Sequence, residues 1–136
     1  MRQDQPMIET GQDILFLLTG AWDDADGGPW LCADCCTMEG ALKVNPHWAD
    51  AITLVRIDYA RPRAEIVTLL DADHQNAPTL ILADDTIAHV EPEAVVGGRR
   101  IYTDPKAICR QLAACYTGAQ PNKPRPSAPL QDGYPT

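Results

Sequence analysis

Two cysteines separated by two residues, Cys32 and Cys35, lie between a continuous apolar run and an amphipathic segment. The run at 13–19 predicts a buried strand, and the segment at 35–44 predicts a helix. A thiol just outside a helix N-terminus faces unpaired N–H groups, which favour its thiolate form. A second thiol one turn later can resolve a mixed disulfide that the first one forms. The pattern therefore predicts a strand–thiol–helix unit, with Cys32 as the nucleophile and Cys35 as the resolving thiol.

The remaining patterns alternate strands with helices along the chain. They predict, in order, a strand at 52–59, a helix opened by Arg61-Pro62-Arg63, strands at 79–83 and 86–90, and a helix from Thr103-Asp104-Pro105 to about Tyr116. Asp84-Asp85 has the composition of a hairpin turn between the third and fourth strands. A strand–helix–strand crossover joins parallel strands, whereas a hairpin joins antiparallel ones. The order β-α-β-α-β-β-α thus predicts an α/β fold with a mixed four-stranded sheet flanked by helices.

Charge and composition exclude several classes of partner. The chain of 136 residues has a net charge of −8 and no basic stripe that could neutralise phosphates, which argues against a nucleic-acid partner. Its N-terminus lacks the apolar core of a signal peptide, and its apolar runs are too short to span a membrane. Five cysteines without an export signal are typical of a reducing compartment. We therefore expect a cytoplasmic protein with neither nucleic-acid nor membrane partners.

The composition also divides the chain into three parts. Residues 1–12 are polar and predict a loose N-terminal leader, and residues 13–116 predict one domain of ordinary size. Residues 117–136 predict a Pro-rich tail, because five of the 12 prolines fall within 119–136. Such a stretch favours disorder or a polyproline-like conformation. A docking strap against a partner is the alternative interpretation.

The other three cysteines have a packing interpretation. Cys36 adjoins Cys35 and is expected to point into the helix packing, because free cysteine behaves as a small apolar residue. Cys109 and Cys115 lie six residues apart on the last predicted helix, on different parts of its surface. We expect both of them to pack against the rest of the domain.

Two other functions compete with thiol–disulfide exchange. Cys32, Cys35 and Cys36 supply up to three thiolates, and His74 or His47 could complete a tetrahedral metal site. The chain has no second C-x-x-C pair and no H-x-x-x-H pair, which argues against this site. The other alternative is an interaction module without catalysis, which uses the acidic loop and the Pro-rich tail for contacts.

These features together resemble the thioredoxin-like superfamily over residues 13–116. A C-x-x-C pair between the first strand and first helix, and a proline at the start of the third strand, are its recurring parts. Within it, the chain is similar to an uncharacterised bacterial family, domain of unknown function family 3088. The residues that carry the resemblance are Asp13-Ile14-Leu15-Phe16-Leu17-Leu18, Cys32-x-x-Cys35, Glu39-Gly40, Arg61-Pro62-Arg63, Ala77-Pro78-Thr79-Leu80-Ile81-Leu82-Ala83-Asp84 and Asp104-Pro105.

The resemblance implies further parts of a site. The Ala77–Pro78 bond is expected to be cis and to face the thiols, and the backbone beside it is expected to pair with an extended substrate. A trans proline that only starts a strand is the alternative. Thr103 and Asp104 are expected to bind the amino end of a glutathione-like ligand, as in glutathione-binding relatives, or else to cap the last helix. The family itself has no assigned activity, so a thiol or disulfide substrate is expected without its identity, and no cofactor other than glutathione.

Three further residues lie where a substrate could contact them. Trp30 could flank a substrate groove or serve as a loop anchor, and Arg61 and Arg63 could hold an anionic ligand or be ordinary exposed charges at a helix start. Asp34, between the two thiols, opposes the thiolate by its like charge, and the sequence places no Lys or Arg beside the pair. These charges predict a weakly stabilised thiolate and a potential near the reducing end of the known range.

Overall fold

A five-stranded mixed sheet forms the centre of the fold. The computed structural model of the chain describes residues 11–122, so most of the predicted leader (1–12) and tail (117–136) lies outside the described residues. The elements, in chain order, are β1 (Ile14–Leu18), β2 (Trp22–Asp24), β3 (Gly27–Trp30), α1 (Ala33–Val44), α2 (His47–Ala51), β4 (Thr53–Ile57), α3 (Ala64–Leu69), β5 (Thr79–Ile81), β6 (Ala94–Val96), β7 (Arg99–Tyr102) and α4 (Pro105–Tyr116).

The strand order in the sheet is β4-β1-β5-β7-β6. β1 runs parallel to β4, with Ile14 opposite Thr53, and antiparallel to β5, with Ile14 opposite Ile81. β7 is antiparallel to both β5 and β6. All five residues of β1 are buried, as expected for a central strand that is covered on both faces. The mixed α/β class predicted from the sequence is therefore confirmed, but the sheet has five strands and not four.

The prediction of a fourth strand at 86–90 is wrong. The side chain of Gln111 in α4 forms hydrogen bonds with the backbone of this segment. Its Oε1 accepts the N–H groups of His89 and Val90 at 2.8 and 3.1 Å. Its Nε2 donates to Ile87 O at 2.8 Å. With its backbone groups bonded to a helix side chain, the segment has fewer groups free for a sheet ladder. The strand beside β5 is instead β7, which follows β6 through a glycine turn.

A separate two-stranded hairpin, β2–β3, lies between β1 and Cys32, where no strand was predicted. Its Gly28 has a φ of +134°, and a Cβ there would lie 2.9 Å from Trp22 O. The ring of Trp22 stacks on Tyr59 at a centroid distance of 4.3 Å. The hairpin therefore lies against the segment that follows β4, close to the start of α1.

The short helix α2 was also not predicted. It follows Pro46 and buries Trp48 completely. The chain returns here after α4: Trp48 Nε1 donates to Thr117 O at 2.7 Å, and Ala119 N donates to Asn45 Oδ1 at 2.7 Å. Gly118 has a φ of +126° at this return. No helix within residues 11–122 has the length and apolar character needed to cross a membrane.

A buried carboxylate at the start of β1 connects three distant segments. Asp13 Oδ1 accepts the N–H of Ala83 at 2.8 Å and the hydroxyl of Thr86 at 2.7 Å. Its Oδ2 accepts the hydroxyl of Tyr116 at 2.7 Å. Burial is the main cause of a raised Tyr116 pKa, and the hydrogen bond to Asp13 adds to it. This carboxylate thus ties the first strand to the segment after β5 and to the end of α4.

Candidate functional site

Cys32 is the N-cap residue of α1 and is partly exposed. Its backbone is extended, and its Sγ accepts the N–H of Cys35 at 3.1 Å. Its carbonyl accepts the N–H of Cys36 at 2.9 Å. The helix therefore begins at Ala33, two residues before the predicted start, and Cys32 lies just outside its first turn, as the sequence predicted. The sulfur therefore takes the place of a capping oxygen for one of the unpaired N–H groups of the first turn.

Cys35 lies directly behind Cys32 and is buried, with 2% of its surface exposed. Its Sγ accepts the N–H of Leu18, at the end of β1, at 3.3 Å. Burial raises the pKa of Cys35 to about 12, and a hydrogen bond with the Cys32 side chain contributes to the rise, whereas the Leu18 N–H opposes it. The two thiols are thus unequal, because one is protonated and enclosed while the other reaches the surface.

The third part of the arrangement is the Ala77–Pro78 step before β5. This peptide bond is cis, as predicted, and Pro78 is buried. The thiol of Cys32 donates to Ala77 O over 3.7 Å. The predicted meeting of this step with the first cysteine is therefore confirmed. Residues 45 positions apart in the sequence contact each other at one end of the sheet.

A pocket of about 310 Å³ opens beside the thiols. All three clustered cysteines line it, together with the exposed Leu31 and an ion pair between Glu39 and Arg56. Arg56 donates two hydrogen bonds of 2.8 Å to the Glu39 carboxylate. The hydrogen bond from Arg56 is the main reason that the Glu39 pKa is lowered. A reagent that approaches Cys32 from this side meets an apolar wall and a neutralised charge pair.

Cys36 is exposed and lines this pocket, so the expectation that it points into the helix packing is wrong. Adjacent helical residues are about 100° apart around the axis, and the position of Cys35 in the core turns its neighbour outward. Cys109 is buried and its sulfur lies 3.8 Å from that of Met38, as expected for a packing residue. Cys115 is half-buried, and Gln111 Nε2 donates to its sulfur at 3.2 Å.

The donors of Thr103 and Asp104 are already bonded within the chain. The Glu93 carboxylate accepts Thr103 N at 2.8 Å, Thr103 Oγ1 at 2.6 Å and Asp104 N at 2.8 Å. Burial raises the Glu93 pKa, but these three hydrogen bonds together outweigh burial and leave the pKa lowered. The Asp104 side chain caps α4 through Lys106 N at 3.3 Å. Any ligand that uses these donors must therefore displace Glu93.

Trp30 ends the β2–β3 hairpin two residues before Cys32 and is 43% exposed. Its indole N–H donates to Asp24 Oδ1 at 3.0 Å across the hairpin. The ring is thus held within the hairpin while part of its surface reaches solvent. This geometry serves both interpretations of Trp30, as a loop anchor and as an exposed surface near the thiols.

Arg63 is buried, which corrects the expectation of an exposed charge at a helix start. Only 5% of its surface is exposed, and it is the N-cap residue of α3. Its guanidinium donates to Tyr59 O at 2.7 and 3.0 Å and to Gln75 O at 2.7 Å. Its backbone N–H donates to the Gln75 side chain at 2.7 Å. The Arg-Pro-Arg motif marked this position, but nothing in its spacing indicated burial.

Arg63 also interacts electrostatically with the thiols. Burial lowers the pKa of Arg63, and the like charge of the exposed Arg61 adds to this effect. Tyr59 and the thiols of Cys35 and Cys32 act in the opposite direction, so they lie within electrostatic reach of the guanidinium. Arg56 also lines the pocket beside the thiols, so the expectation that no cation lies near the thiol pair is wrong.

The histidines do not join the cysteines. His74 Nδ1 lies 2.7 Å from Asp71 Oδ1, and His47 Nε2 lies 3.0 Å from Thr117 O. Within residues 11–122, no three His, Cys, Asp or Glu side chains are grouped so as to hold a metal ion. The proposed tetrahedral site from three cysteines and one histidine is thus not assembled in the described part of the chain.

Comparison with known proteins agrees with the resemblance at the level of one family. The family described as protein of unknown function (DUF3088) matches residues 12–120. No curated protein and no solved structure gives a significant match to the chain. Because the match spans most of the chain, the protein belongs to the DUF3088 family of proteins of unknown function.

Proposed function

We propose that this protein is a thiol–disulfide oxidoreductase with a thioredoxin-like fold, in which Cys32 attacks and Cys35 resolves. The observation that carries the proposal is the inequality of the two thiols. Cys32 is partly exposed and bonded to a helix N–H, whereas Cys35 is enclosed behind it with a raised pKa. An exposed attacking thiol with a protected partner is the arrangement that exchange chemistry needs.

The strand order supports the fold part of the proposal. β1 and β4 are parallel and joined through α1, while β5 and β7 continue the sheet in antiparallel directions. These four strands, with α1, α3 and α4, follow the order β-α-β-α-β-β-α. The β2–β3 hairpin, α2 and β6 are additions to that order. The cis step at Ala77–Pro78 lies against the first cysteine, as in that superfamily.

The proposed reaction has two displacement steps. The Cys32 thiolate attacks one sulfur of a disulfide RS–SR′, forms a Cys32–S–S–R bond and releases R′S⁻, which takes up a proton. Cys35 then loses its proton to solvent or to the leaving thiolate and attacks the sulfur of Cys32. A Cys32–Cys35 disulfide forms and RS⁻ leaves, so the substrate is reduced by two electrons while the protein is oxidised. An external dithiol, such as dithiothreitol in an assay, returns the protein to its reduced form.

The proposed substrate is a thiol or disulfide that reaches Cys32 between the hairpin and the Ala77–Pro78 step. The pocket beside the thiols is large enough for a small disulfide, and Leu31, which lines it, supplies exposed apolar surface. Glutathione is one such substrate. If it binds through the backbone donors of Thr103 and Asp104, it must displace the Glu93 carboxylate from them.

The decisive experiment compares three single variants with the wild type. Reduced protein is mixed with hydroxyethyl disulfide, and the products are followed by intact mass and by peptide fragmentation. Cys32→Ser is expected to give no exchange, and Cys35→Ser is expected to accumulate one mixed disulfide at Cys32 because the resolving thiol is gone. Cys36→Ser is the matched control and is expected to behave as the wild type. Glutathione disulfide serves as a second probe under the same conditions.

Two outcomes contradict the proposal. If Cys32→Ser exchanges as fast as the wild type, Cys32 is not the attacking thiol. If the mixed disulfide of Cys35→Ser forms at Cys36 in place of Cys32, the exposed thiol of the pocket reacts and the assigned roles are wrong.

A further inference from the structure

Arg63 is a buried cation that the proposed reaction does not yet use. Its guanidinium is fixed by two backbone carbonyls, those of Tyr59 and Gln75, at 2.7–3.0 Å. Among residues 11–122, no carboxylate forms an ion pair with it. Burial of a charge without an opposite charge costs free energy, so we expect the charge of Arg63 to have a function.

Both supports of Arg63 lead to the thiol site. Gln75 holds its backbone and side chain, and two residues later Ala77 places its carbonyl 3.7 Å from Cys32 Sγ. On the other side, Tyr59 lies below the guanidinium, with 5.4 Å between the charge and the ring centre. Tyr59 in turn stacks on Trp22 of the hairpin that precedes Cys32. The cation is thus held by one segment that contacts Cys32 through Ala77 and by another that contacts the hairpin before Cys32.

We propose that Arg63 is a positioning residue that stabilises the Cys32 thiolate through its charge, acting from behind the Gln75–Ala77 segment. This inference rests on the proposed function, because it assigns the charge to the same attacking thiol. Arginine suits the task because its delocalised guanidinium keeps its proton even when burial lowers its pKa. Its planar group also bonds both carbonyls at once, which a lysine ammonium does less well.

Other charges near the thiols do not supply the same field. Asp34 is exposed on the first turn of α1 and has the wrong sign, and Arg56 is neutralised by Glu39. The titratable groups that line the pocket beside Cys32 are Cys35, Cys36, Glu39 and Arg56, and those within electrostatic reach of Arg63 are Arg61, Tyr59 and the thiols of Cys35 and Cys32. Of the cations in this set, Arg63 is the buried one, and burial reduces the screening of its charge by solvent and salt.

The test measures alkylation of Cys32 by a neutral reagent, iodoacetamide, and an anionic one, iodoacetate. Arg63→Met keeps an apolar stem of similar length and removes the charge, so Cys32 is expected to react about tenfold more slowly with iodoacetamide near pH 7. Iodoacetate is expected to slow further, because the site loses its attraction for an anion. Arg63→Lys restores the charge and is expected to recover most of both rates. Arg61→Gln, which removes an exposed arginine two residues away, is the matched control and is expected to stay within about twofold of the wild type.

A second readout needs no variant and covers the case in which Arg63→Met does not fold. In the wild type, the ratio of the iodoacetate rate to the iodoacetamide rate is measured separately for Cys32 and for Cys36. We expect a severalfold higher ratio at Cys32, because the field of Arg63 acts mainly there. Equal ratios at the two thiols overturn the inference, as does a folded Arg63→Met protein with wild-type rates for both reagents.

These readouts separate the inference from the proposed function. A raised ratio at Cys32 together with no disulfide exchange supports the charge effect and contradicts the oxidoreductase proposal. Exchange at Cys32 with unchanged alkylation in folded Arg63→Met supports the oxidoreductase and contradicts the role of Arg63.

Discussion

Replacement of Asp13 by alanine removes the acceptor of three buried hydrogen bonds at once. The carboxylate is 1% exposed and accepts the N–H of Ala83 and the hydroxyls of Thr86 and Tyr116 at 2.7–2.8 Å. Asp13→Ala leaves these three donors without that acceptor and opens a small cavity at the start of β1. Asp13→Asn keeps one oxygen for Ala83 and Thr86, and its amide can donate to the Tyr116 oxygen, which then acts as an acceptor.

The expected loss follows from the number of bonds and their type. A hydrogen bond to a charged group contributes about 1.5–3 kcal/mol, so three bonds give a gross loss of roughly 5–9 kcal/mol. Burial of a carboxylate without a cation is itself unfavourable, and its removal offsets a large part of that loss. We expect Asp13→Ala to lower the free energy of unfolding by about 3 kcal/mol and Asp13→Asn by about 1 kcal/mol.

Urea unfolding followed by circular dichroism measures both changes, with Tyr116→Phe and the double variant Asp13→Ala/Tyr116→Phe completing a cycle. Tyr116→Phe alone is expected to cost about 1.5 kcal/mol and to cost little when Asp13 is already alanine. If Asp13→Asn destabilises as much as Asp13→Ala, or if the two single effects simply add, the reasoning from shared hydrogen bonds is refuted.

Three further predictions concern other parts of the described chain. Cys35 has a pKa of about 12 against an ordinary 9.0, so it carries about a thousandfold less thiolate than an ordinary cysteine at neutral pH; mass spectrometry after brief alkylation should find Cys36 labelled and Cys35 unlabelled, and equal labelling would contradict its burial. Gly118→Ala forces a left-handed φ of +126° on alanine and places its Cβ 2.6 Å from Asn45 Oδ1. We expect the free energy of unfolding, measured in urea, to fall by about 2 kcal/mol. An unchanged midpoint would show that the segment after α4 does not stabilise α2. The raised Tyr116 pKa contributes stability that is complete below about pH 10 and is lost as pH rises above it, so the wild type should lose more stability than Tyr116→Phe between pH 9 and 11; parallel pH curves would contradict this assignment.

The parts of the fold that depend on local pattern could be predicted from the sequence. The apolar run at 13–19 contains β1, and Thr103-Asp104-Pro105 begins α4 with Asp104 as its N-cap. The position of the first cysteine just outside α1 could also be predicted, because the residues that start a helix lie within a few positions of its first turn. The contact between Cys32 and Ala77 was predicted through the resemblance to a family, since no local pattern relates residues 45 positions apart.

The parts that were missed depend on side chains from distant segments. The pattern at 86–90 predicts a strand, but the side chain of Gln111 in α4 forms hydrogen bonds with the backbone of this segment. Arg63 reads as an exposed charge, yet the carbonyls that bury it belong to Tyr59 and to Gln75, 12 residues away. Such partners are decided by tertiary packing, and periodicity within one segment carries no information about them.

The β2–β3 hairpin has a consequence for the cooperativity of unfolding. It forms its own two-stranded sheet, and all four residues of β3 are exposed, so within the described residues its ladder is separate from the main sheet. In the hairpin, Trp22 stacks on Tyr59 and Trp30 is 43% exposed. Trp48, in contrast, is completely buried in the core. A unit with few buried contacts opens at a lower free energy than the core does. The hairpin that precedes Cys32 can therefore open as a separate foldon, and the fluorescence of Trp22 can report this local opening while that of Trp48 reports global unfolding.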